Sequence, residues 1–370
     1  MIDELRARAL TEVEQGHLPS CQFAVAFEGK VLVEETVGDV PSDARYVCFS
    51  STKPVVASVV WQLIGESLLD PEKPVTTWWP EFGANGKDRV TLDHVLQHTA
   101  GFPLASLERQ SGGDRADRVR RMEAWTLDWE PGTRFEYHGL SAHWVLAELI
   151  TRVTEEEYRV ALRKRVLDPL GLDRLELGVP PERQGDVQPV VETMEPPSAE
   201  EIKRVLGIED LSELEPEREP ADPVDLMAFA EPESLAAGVP GAGAVGDAGS
   251  LALFYQALLH NPGDLWDPAV LKDVTGNARN QFKGPFGGSA MRSRGLEIAG
   301  ADEFAHIRLG FGVTSPAAFG HGGAGGQVAW ADPKTGLSFV FLTGGMDRHF
   351  IRAHRRGRDL SALANRCLES

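Results

Sequence analysis

The sequence predicts an α+β protein in which an antiparallel sheet, flanked by helices from both chain ends, lies beside an all-helical lobe. Two observations lead to this fold class. Segments that alternate apolar and polar residues, the period of a half-buried strand, lie near both ends of the chain. Helical spacing dominates the middle, from about residue 60 to 230. The two ends would then pair into one sheet, and the cleft between sheet and helices is where an active site is expected.

The first third of the chain begins with a helix and a hairpin. Residues 2–15 have amphipathic helical spacing that ends at Gly16. Cys21–Phe27 and Val31–Val37 alternate on either side of the turn Glu28-Gly29-Lys30. This pattern predicts a pair of antiparallel strands.

The middle of the chain is predicted to be helical. Its first helix, Val55–Ile64, is apolar on nearly every face and is therefore expected inside the protein. Residues 195–225 are rich in Glu and Pro, with a short helical piece at Ile202–Leu206, and indicate a surface insertion. Four further helical patterns precede that insertion: Thr91–His98, Arg115–Trp125, Ser141–Val153 and Glu155–Leu167.

The last third returns to strands. A glycine-rich run, Gly238–Gly249, precedes a helix at Ser250–His260. From this order we predict an α/β lobe made of residues 1–60 and 231–370, and a helical lobe of residues 61–230. Three strands and a closing helix complete the chain: Ile307–Val313, Gln327–Ala331, Leu337–Thr343 and about Phe350–Cys367.

Composition narrows the range of partners. The 370 residues carry a formal net charge of −19, which argues against binding nucleic acid or an anionic membrane. The N-terminus has no signal-peptide pattern, and no apolar run reaches the length of a membrane span. The three cysteines, Cys21, Cys48 and Cys367, lack metal-ligand spacing and fit a reducing compartment. We therefore expect a cytoplasmic protein without a metal or cofactor.

A serine and a lysine, Ser50 and Lys53, stand three residues apart at the start of the apolar helix. One helical turn brings their side chains to the same face. A serine hydroxyl needs a nearby base to become a nucleophile, and a lysine can be that base when burial lowers its pKa. Ser-x-x-Lys alone is weak support, because a helix N-cap followed by a surface lysine has the same spacing.

Two further segments could belong to the same site. Tyr137 follows a tight turn that leads into a helix, and it could share proton transfer with Lys53. The run His321–Gly326 is dense in glycine and leads into a strand, so its N–H groups are free to face a ligand or an oxyanion. Taken separately, a packing tyrosine and a sheet corner explain these segments equally well or better.

Together these segments resemble the serine β-lactamase and penicillin-binding-protein superfamily, and its class C-like branch with many esterases in particular. The likeness is carried in order by Ser50–Lys53, Thr91–Gly101, Tyr137, Gly238–Leu259 and His321–Gly323. It spans about residues 8–345. The implied fold is β-lactamase-like, with the site between the sheet and the helical lobe.

The resemblance also implies roles for individual residues. Ser50 would be the acylated nucleophile, and Lys53 with Tyr137 the proton-transfer pair. The backbone N–H groups of Ser50 and Ala324 would form the oxyanion hole. His321, with Gly322 and Gly323, would line the substrate pocket at the position where penicillin-recognising members carry a lysine.

Two departures from the family pattern favour esters. The second family motif, Tyr-x-Asn, reads Tyr137-His138-Gly139, so the asparagine that holds a β-lactam's amide is missing. The third motif, Lys-Thr-Gly, reads His321-Gly322-Gly323, and a histidine is largely neutral at pH 7. The expected substrate is therefore a small uncharged ester, cleaved through an acyl-enzyme on Ser50.

Other functions stay open at this point. A β-lactamase or a D-amino-acid peptidase would use the same residues, and an acyltransferase would replace water by an alcohol or amine. The altered second and third motifs also allow a catalytically silent binding module. The sequence does not indicate the oligomeric state.

Three other patterns imitate functional motifs. Lys334-Thr335-Gly336 spells the third family motif but lies in a predicted hairpin turn, after the strand. Gly241–Gly246 spells a dinucleotide-binding fingerprint without the strand that should precede it. His94 and His98 have metal-ligand spacing, but no third ligand is apparent. We expect structural roles for all three.

Overall fold

The positions of helices and strands come from a computed structural model that describes residues 2–107, 114–207, 224–280, 282–284, 288–308 and 313–368. The helices are α1 Ile2–Glu14, α2 Thr52–Gly65, α3 Leu92–Leu96, α4 Arg115–Ala124, α5 Ser141–Thr154, α6 Tyr158–Leu162, α7 Ala199–Leu206, α8 Pro232–Ala237, α9 Ala248–His260, α10 Pro268–Gly276 and α11 Phe350–Asn365. The strands are β1 Ser20–Phe27, β2 Lys30–Gly38, β3 Tyr46–Val47, β4 Glu176–Leu177, β5 Val191–Thr193, β6 Ala244–Gly246, β7 Glu297–Ile298, β8 Phe319–Gly320, β9 Val328–Asp332, β10 Leu337–Thr343 and β11 Gly345–Asp347.

The two ends of the chain meet in one antiparallel sheet of six strands, in the order β2-β1-β10-β9-β8-β7. Strand β1 pairs along its length with β10, with Phe23 opposite Phe341. Strand β10 then pairs with β9, with Phe339 opposite Trp330. The α+β class and the pairing of segments from both chain ends are therefore confirmed.

Each face of the sheet is covered by helices because strand residues alternate between the two faces. Phe23, Trp330 and Phe341 pack with residues of the terminal helices α1 and α11. Ala24 and Val340 face the other way and join a larger core that contains α9 and α2. The sheet is thus a central layer between two apolar cores.

Helix α2 lies inside the larger core. All residues from Thr52 to Leu63 are buried, including the ionisable Lys53. A helix apolar on every face needs neighbours on every side, and α5, α6 and α10 are among the elements that contact it. The start of α2 adjoins a small sheet in the order β3-β6-β4.

The structure differs from the expected elements in several places, and two short strands, β4 and β5, lie in the middle region that was expected to be helical. The helix expected at Glu155–Leu167 begins only at Tyr158, because Glu155 adopts a left-handed backbone that ends α5. It continues as a π-helical turn at Arg163–Leu167. The strand expected at Ile307–Val313 starts in a 3-10 turn at Ala305–Ile307, and most of the rest lies outside the described residues.

The predicted insertion at 195–225 is described only in part. Helix α7 contains the expected helical piece, and residues 208–223 lie outside the described part of the chain. His349 Nε2 lies 3.1 Å from Glu201 Oε2, which joins α7 to the start of α11. Among the described helices, none combines the length and apolarity needed to cross a membrane.

Candidate active site

Ser50 lies in a strained turn between strand β3 and helix α2. The turn is a single 3-10 turn, Phe49–Ser51, and Phe49 has a left-handed backbone with φ of 44°. Its ring is buried edge-on against Phe229, with ring centroids 5.9 Å apart. The Cys48 N–H donates to Ala244 O at 2.8 Å and fixes the turn to strand β6. Such strain, held in place by packing, is typical of functional positions.

Lys53 is fully buried one turn after Ser50. Its Nζ lies 3.1 Å from Ser50 Oγ and donates to Gly241 O at 2.8 Å. Burial, and then the positive charge of Arg292, hold the pKa of Lys53 well below its usual value. The ammonium form is therefore disfavoured, and a neutral amine can accept the Ser50 proton.

Tyr137 lies beside this pair. Lys53 Nζ is 4.9 Å from the centre of the Tyr137 ring. Burial raises the pKa of Tyr137 to about 12, against smaller opposing effects of the Arg292 charge and a hydrogen bond with Ser50. The phenol consequently stays protonated at neutral pH. Lys53 is the better candidate for the base, and Tyr137 for a proton donor or relay.

His321 contacts Tyr137 through a long hydrogen bond. Its Nδ1 lies 2.8 Å from Gly322 O, so Nδ1 carries the proton and Nε2 is free to accept. The Tyr137 hydroxyl lies 3.4 Å from that Nε2. Burial, and then the charges of Arg292 and Lys53, lower the pKa of His321 well below its usual value. His321 is thus a neutral acceptor toward Tyr137.

The glycine-rich loop after His321 packs directly on the turn of Ser50. The Ser51 hydroxyl donates to His321 O at 2.9 Å. A Cβ atom placed on Gly323 would lie 2.7 Å from Cys48 O, so only glycine fits this approach. Ala324 follows and begins the 3-10 turn Ala324–Gly326. The expected oxyanion pair, Ser50 and Ala324, thus belongs to two adjoining segments, and the assignment itself stays a prediction.

Two residues that sequence reasoning had not assigned to the site are present there. Arg292 Cζ lies 5.5 Å from the centre of the Tyr137 ring. Its Nε and Nη1 have no hydrogen-bond acceptor among the described residues, and Nη2 lies 3.6 Å from Glu297 Oε2. Gly241 supplies the carbonyl that holds Lys53. No local pattern marks Arg292, whereas Gly241 lies in the glycine-rich run Gly238–Gly249 that carries part of the family resemblance.

Three buried histidines surround the same residues. His143 Nε2 lies 3.2 Å from Lys53 O. His98 and His138 contact each other and the Tyr137 segment. Burial is the main cause that lowers the pKa of each, to about 4 for His138 and well below the usual value for the other two. These imidazoles are therefore neutral at pH 7 and act as hydrogen-bonding groups.

Each of the three imitating patterns belongs to an element or turn of the fold. Lys334-Thr335-Gly336 forms the turn between β9 and β10, where the Lys334 N–H donates to Asp332 Oδ1 at 2.9 Å. The run Gly241–Gly246 contains strand β6. His94 accepts from the Thr91 N–H in a capping box that starts α3. Within the described residues, no group of three or more His, Cys, Asp or Glu side chains could hold a metal ion.

Sequence comparison places the chain among known proteins. The profile of the family described as Beta-lactamase matches residues 4–364. The chain is 31% identical over 338 residues to the esterase/beta-lactamase LipL of Mycobacterium tuberculosis, an alignment that covers 86% of this chain and 76% of that protein. Likeness therefore extends over most of both proteins.

Solved structures share the fold. A penicillin-binding protein homologue from Caulobacter crescentus superposes with a TM-score of 0.77 at 25% identity, covering 98% of this chain and 96% of that one. A family VIII carboxylesterase superposes with a TM-score of 0.77 at 23% identity, covering 97% of each chain. The second likeness concerns the fold alone.

Proposed function

Because the chain belongs to the beta-lactamase family, as a hydrolase of the beta-lactamase/esterase type, we propose that it cleaves carboxylic esters through an acyl-enzyme on Ser50. One observation carries this proposal. The amine of Lys53 is fully buried, has a lowered pKa and lies 3.1 Å from the Ser50 hydroxyl. A neutral base at hydrogen-bonding distance is what a serine nucleophile requires.

The proposed reaction has two steps. Ser50 Oγ attacks the ester carbonyl while its proton passes to Lys53, and the resulting oxyanion is held by the N–H groups of Ser50 and Ala324. The carbon–oxygen bond of the ester then breaks, and the proton moves to the leaving alcohol through Lys53 or Tyr137. Water attacks the acyl-serine in the same way and releases the acid, which restores Ser50. No step requires a metal or cofactor.

Two sequence positions support esters over β-lactams as the substrate. Gly139 and His321 stand where β-lactam-hydrolysing members of the family carry an asparagine and a lysine. The relative from Mycobacterium tuberculosis is named for both activities, which keeps β-lactam hydrolysis as the second candidate. A D-amino-acid peptidase, an acyltransferase and a silent binding module are further outcomes that the experiment below separates. We propose the cytoplasm as the compartment, where its three free cysteines would stay reduced.

The test compares substrates and variants of the purified protein. We expect turnover of p-nitrophenyl butyrate, slow or absent turnover of a chromogenic cephalosporin and of D-alanyl p-nitroanilide, and loss of at least about 10³-fold in Ser50→Ala. Intact-mass spectrometry should show one butyryl group on the wild-type protein only. The exposed serine variant Ser42→Ala is the matched control and should keep full activity.

Each alternative gives a different result. Ester hydrolysis that survives Ser50→Ala would rule out the proposed nucleophile. Faster cephalosporin or anilide turnover would favour the β-lactamase or peptidase, and a butyryl ester formed with added alcohol would favour the acyltransferase. Absence of turnover together with no labelling of Ser50 by a fluorophosphonate would favour the binding module.

A further inference from the structure

His98 holds the backbone on both sides of Tyr137. It is 2% exposed and follows helix α3, where it adopts a left-handed conformation with φ of 60°. Its carbonyl accepts from the Glu136 N–H at 3.3 Å, and its Nδ1 accepts from the His138 N–H at 3.2 Å. These two donors belong to the residues immediately before and after Tyr137.

The side chain of His98 also packs on the phenol ring. The His98 and Tyr137 rings have centroids 4.8 Å apart, tilted by 44°. Since Nδ1 accepts a hydrogen bond, the proton of the neutral imidazole is on Nε2. One residue therefore constrains Tyr137 in three ways: through the preceding amide, the following amide and the ring itself.

His138 completes the restraint. Its Nδ1 donates to Glu136 O at 2.6 Å, and its Nε2 accepts from the Phe102 N–H at 3.1 Å. The side chain of His138 thereby holds the segment 136–138 in a turn and connects it to Phe102, shortly after His98 in the chain. The left-handed backbone of His98 lets its carbonyl and its Nδ1 reach this one segment.

We propose that His98 is a positioning residue for the reaction, which aligns the Tyr137 hydroxyl with Ser50, Lys53 and His321. The inference rests on the proposed function, because it requires Tyr137 to take part in proton transfer. His98 does not itself exchange a proton with the substrate. Its contribution lies in holding the phenol, which must be placed to within a fraction of an ångström to transfer protons efficiently.

The experiment removes or restores the acceptor atom. His98→Phe keeps a ring but leaves the His138 N–H without its partner. His98→Asn puts an oxygen close to the place of Nδ1, and asparagine tolerates the left-handed backbone. We expect His98→Phe to lower kcat on p-nitrophenyl butyrate about 10- to 100-fold with little change in KM, and His98→Asn to recover most of that loss.

A double-mutant comparison tests whether His98 acts through Tyr137. In a Tyr137→Phe background, His98→Phe should cost less than about threefold, because the group that it positions is already gone. Hydrogen exchange should become faster at the amides of Glu136 and His138 in His98→Phe, and should stay near wild type in His98→Asn. The control is His94→Asn, which replaces a histidine inside α3 whose hydrogen bonds, among the described residues, are with Thr91 and Thr99 and not with Tyr137.

The possible results distinguish a failure of the positioning role of His98 from a failure of the proposed function. Equal losses in His98→Phe and His98→Asn, or the same loss with and without the Tyr137 hydroxyl, would overturn the positioning role. A wild-type protein with no ester turnover and no Ser50 labelling would instead refute the proposed function. The exchange measurement still reports on the contact in that case, because it does not depend on activity.

Discussion

At the scale of single residues, the candidate site brings the buried amine of Lys53 close to the positive charge of Arg292. Among the described residues, no carboxylate forms an ion pair with Lys53, and the nearby charge that lowers its pKa comes from Arg292. Like charge and desolvation act in the same direction and favour the neutral amine. Arg292 thus supplies a cation at the site, although the sequence offered only the neutral His321 at the family's lysine position.

The role of Arg292 predicts a change in pH dependence. The substitution Arg292→Met removes a positive charge, so the pKa of Lys53 should rise toward its usual value. Because the proposed reaction needs neutral Lys53, the acid limb of kcat/KM should move to higher pH. Activity at pH 7 should fall roughly tenfold and recover in alkaline solution. A pH–rate profile measures this.

The control for that profile keeps the charge. Arg292→Lys should leave the acid limb close to its wild-type position. Arg89→Met removes the same positive charge at an exposed arginine, and it should also leave the acid limb in place. If Arg292→Met lowers activity by the same factor at every pH, the arginine does not act through Lys53.

At the scale of elements, the site is formed where two turns press against each other. The turn of Ser50 precedes helix α2, and the loop from His321 to Ala324 precedes strand β9. Gln327 joins them, since its Nε2 donates to Val47 O at 2.9 Å and to Thr343 O at 3.2 Å. These two hydrogen bonds hold the loop against strands β3 and β10, so the sheets behind the two turns set the distance between them.

Gly323→Ala should disturb this spacing without unfolding the protein. The backbone of Gly323 is in an ordinary extended conformation, so the effect comes only from contact. The new Cβ would lie 2.5 Å from Gln327 Oε1 and 2.7 Å from Cys48 O, which forces the loop away from Ser50. We expect kcat/KM on p-nitrophenyl butyrate to fall about 10- to 100-fold.

Gly276→Ala is the matched control for this variant. A Cβ at Gly276 meets no atom within 4 Å, so activity should stay within about twofold of wild type. Thermal unfolding of both variants checks that the fold is kept. Full activity in Gly323→Ala would mean that the loop can relax without affecting catalysis.

At the scale of the whole molecule, a buried arginine joins the two ends of the chain. Arg356 in α11 is fully buried, and its Nη1 lies 3.1 Å from Glu12 Oε2 in α1 and 3.0 Å from Asp347 Oδ2. Its Nη2 donates to Gly325 O at 3.0 Å. The packing of both terminal helices is therefore connected to the loop that follows His321.

Arg356→Met should destabilise the protein by about 3–5 kcal/mol at pH 7, because it leaves two buried carboxylates without this cation. Burial raises the pKa of Glu12 and of Asp347, but the neighbouring arginines outweigh burial, so both pKa values lie below their usual range. Carboxylates with lowered pKa stabilise the fold above their usual pKa, and this stabilisation is lost as the pH falls. The difference in Tm between variant and wild type should therefore stay constant near pH 7 and narrow as the pH falls below the usual pKa values of Glu12 and Asp347, 4.5 and 3.8.

The exposed arginine variant Arg348→Met serves as the control for this measurement. Its contact with Glu192 is 3.7 Å long and at the surface, so the expected change is within about 0.5 kcal/mol. A Tm difference for Arg356→Met that is small, or constant with pH, would contradict the role of the ion-pair network.

The sequence alone determined several of the elements and one local piece of the site. Strand and helix periods are properties of neighbouring residues, so the hairpin, α2 and the strands β9 and β10 were predictable. The contact of Ser50 with Lys53 needed only one helical turn. The roles drawn from the family resemblance, and the division into lobes 1–60 with 231–370 and 61–230, remain predictions.

Only the tertiary structure decided what surrounds that pair. The carbonyl of Gly241, the charge of Arg292 and the restraint of Tyr137 by His98 join residues that are distant in sequence. No local pattern encodes such contacts, because burial and packing of the whole chain create them. The lowered pKa of Lys53 has the same origin, since desolvation depends on every element that packs around α2.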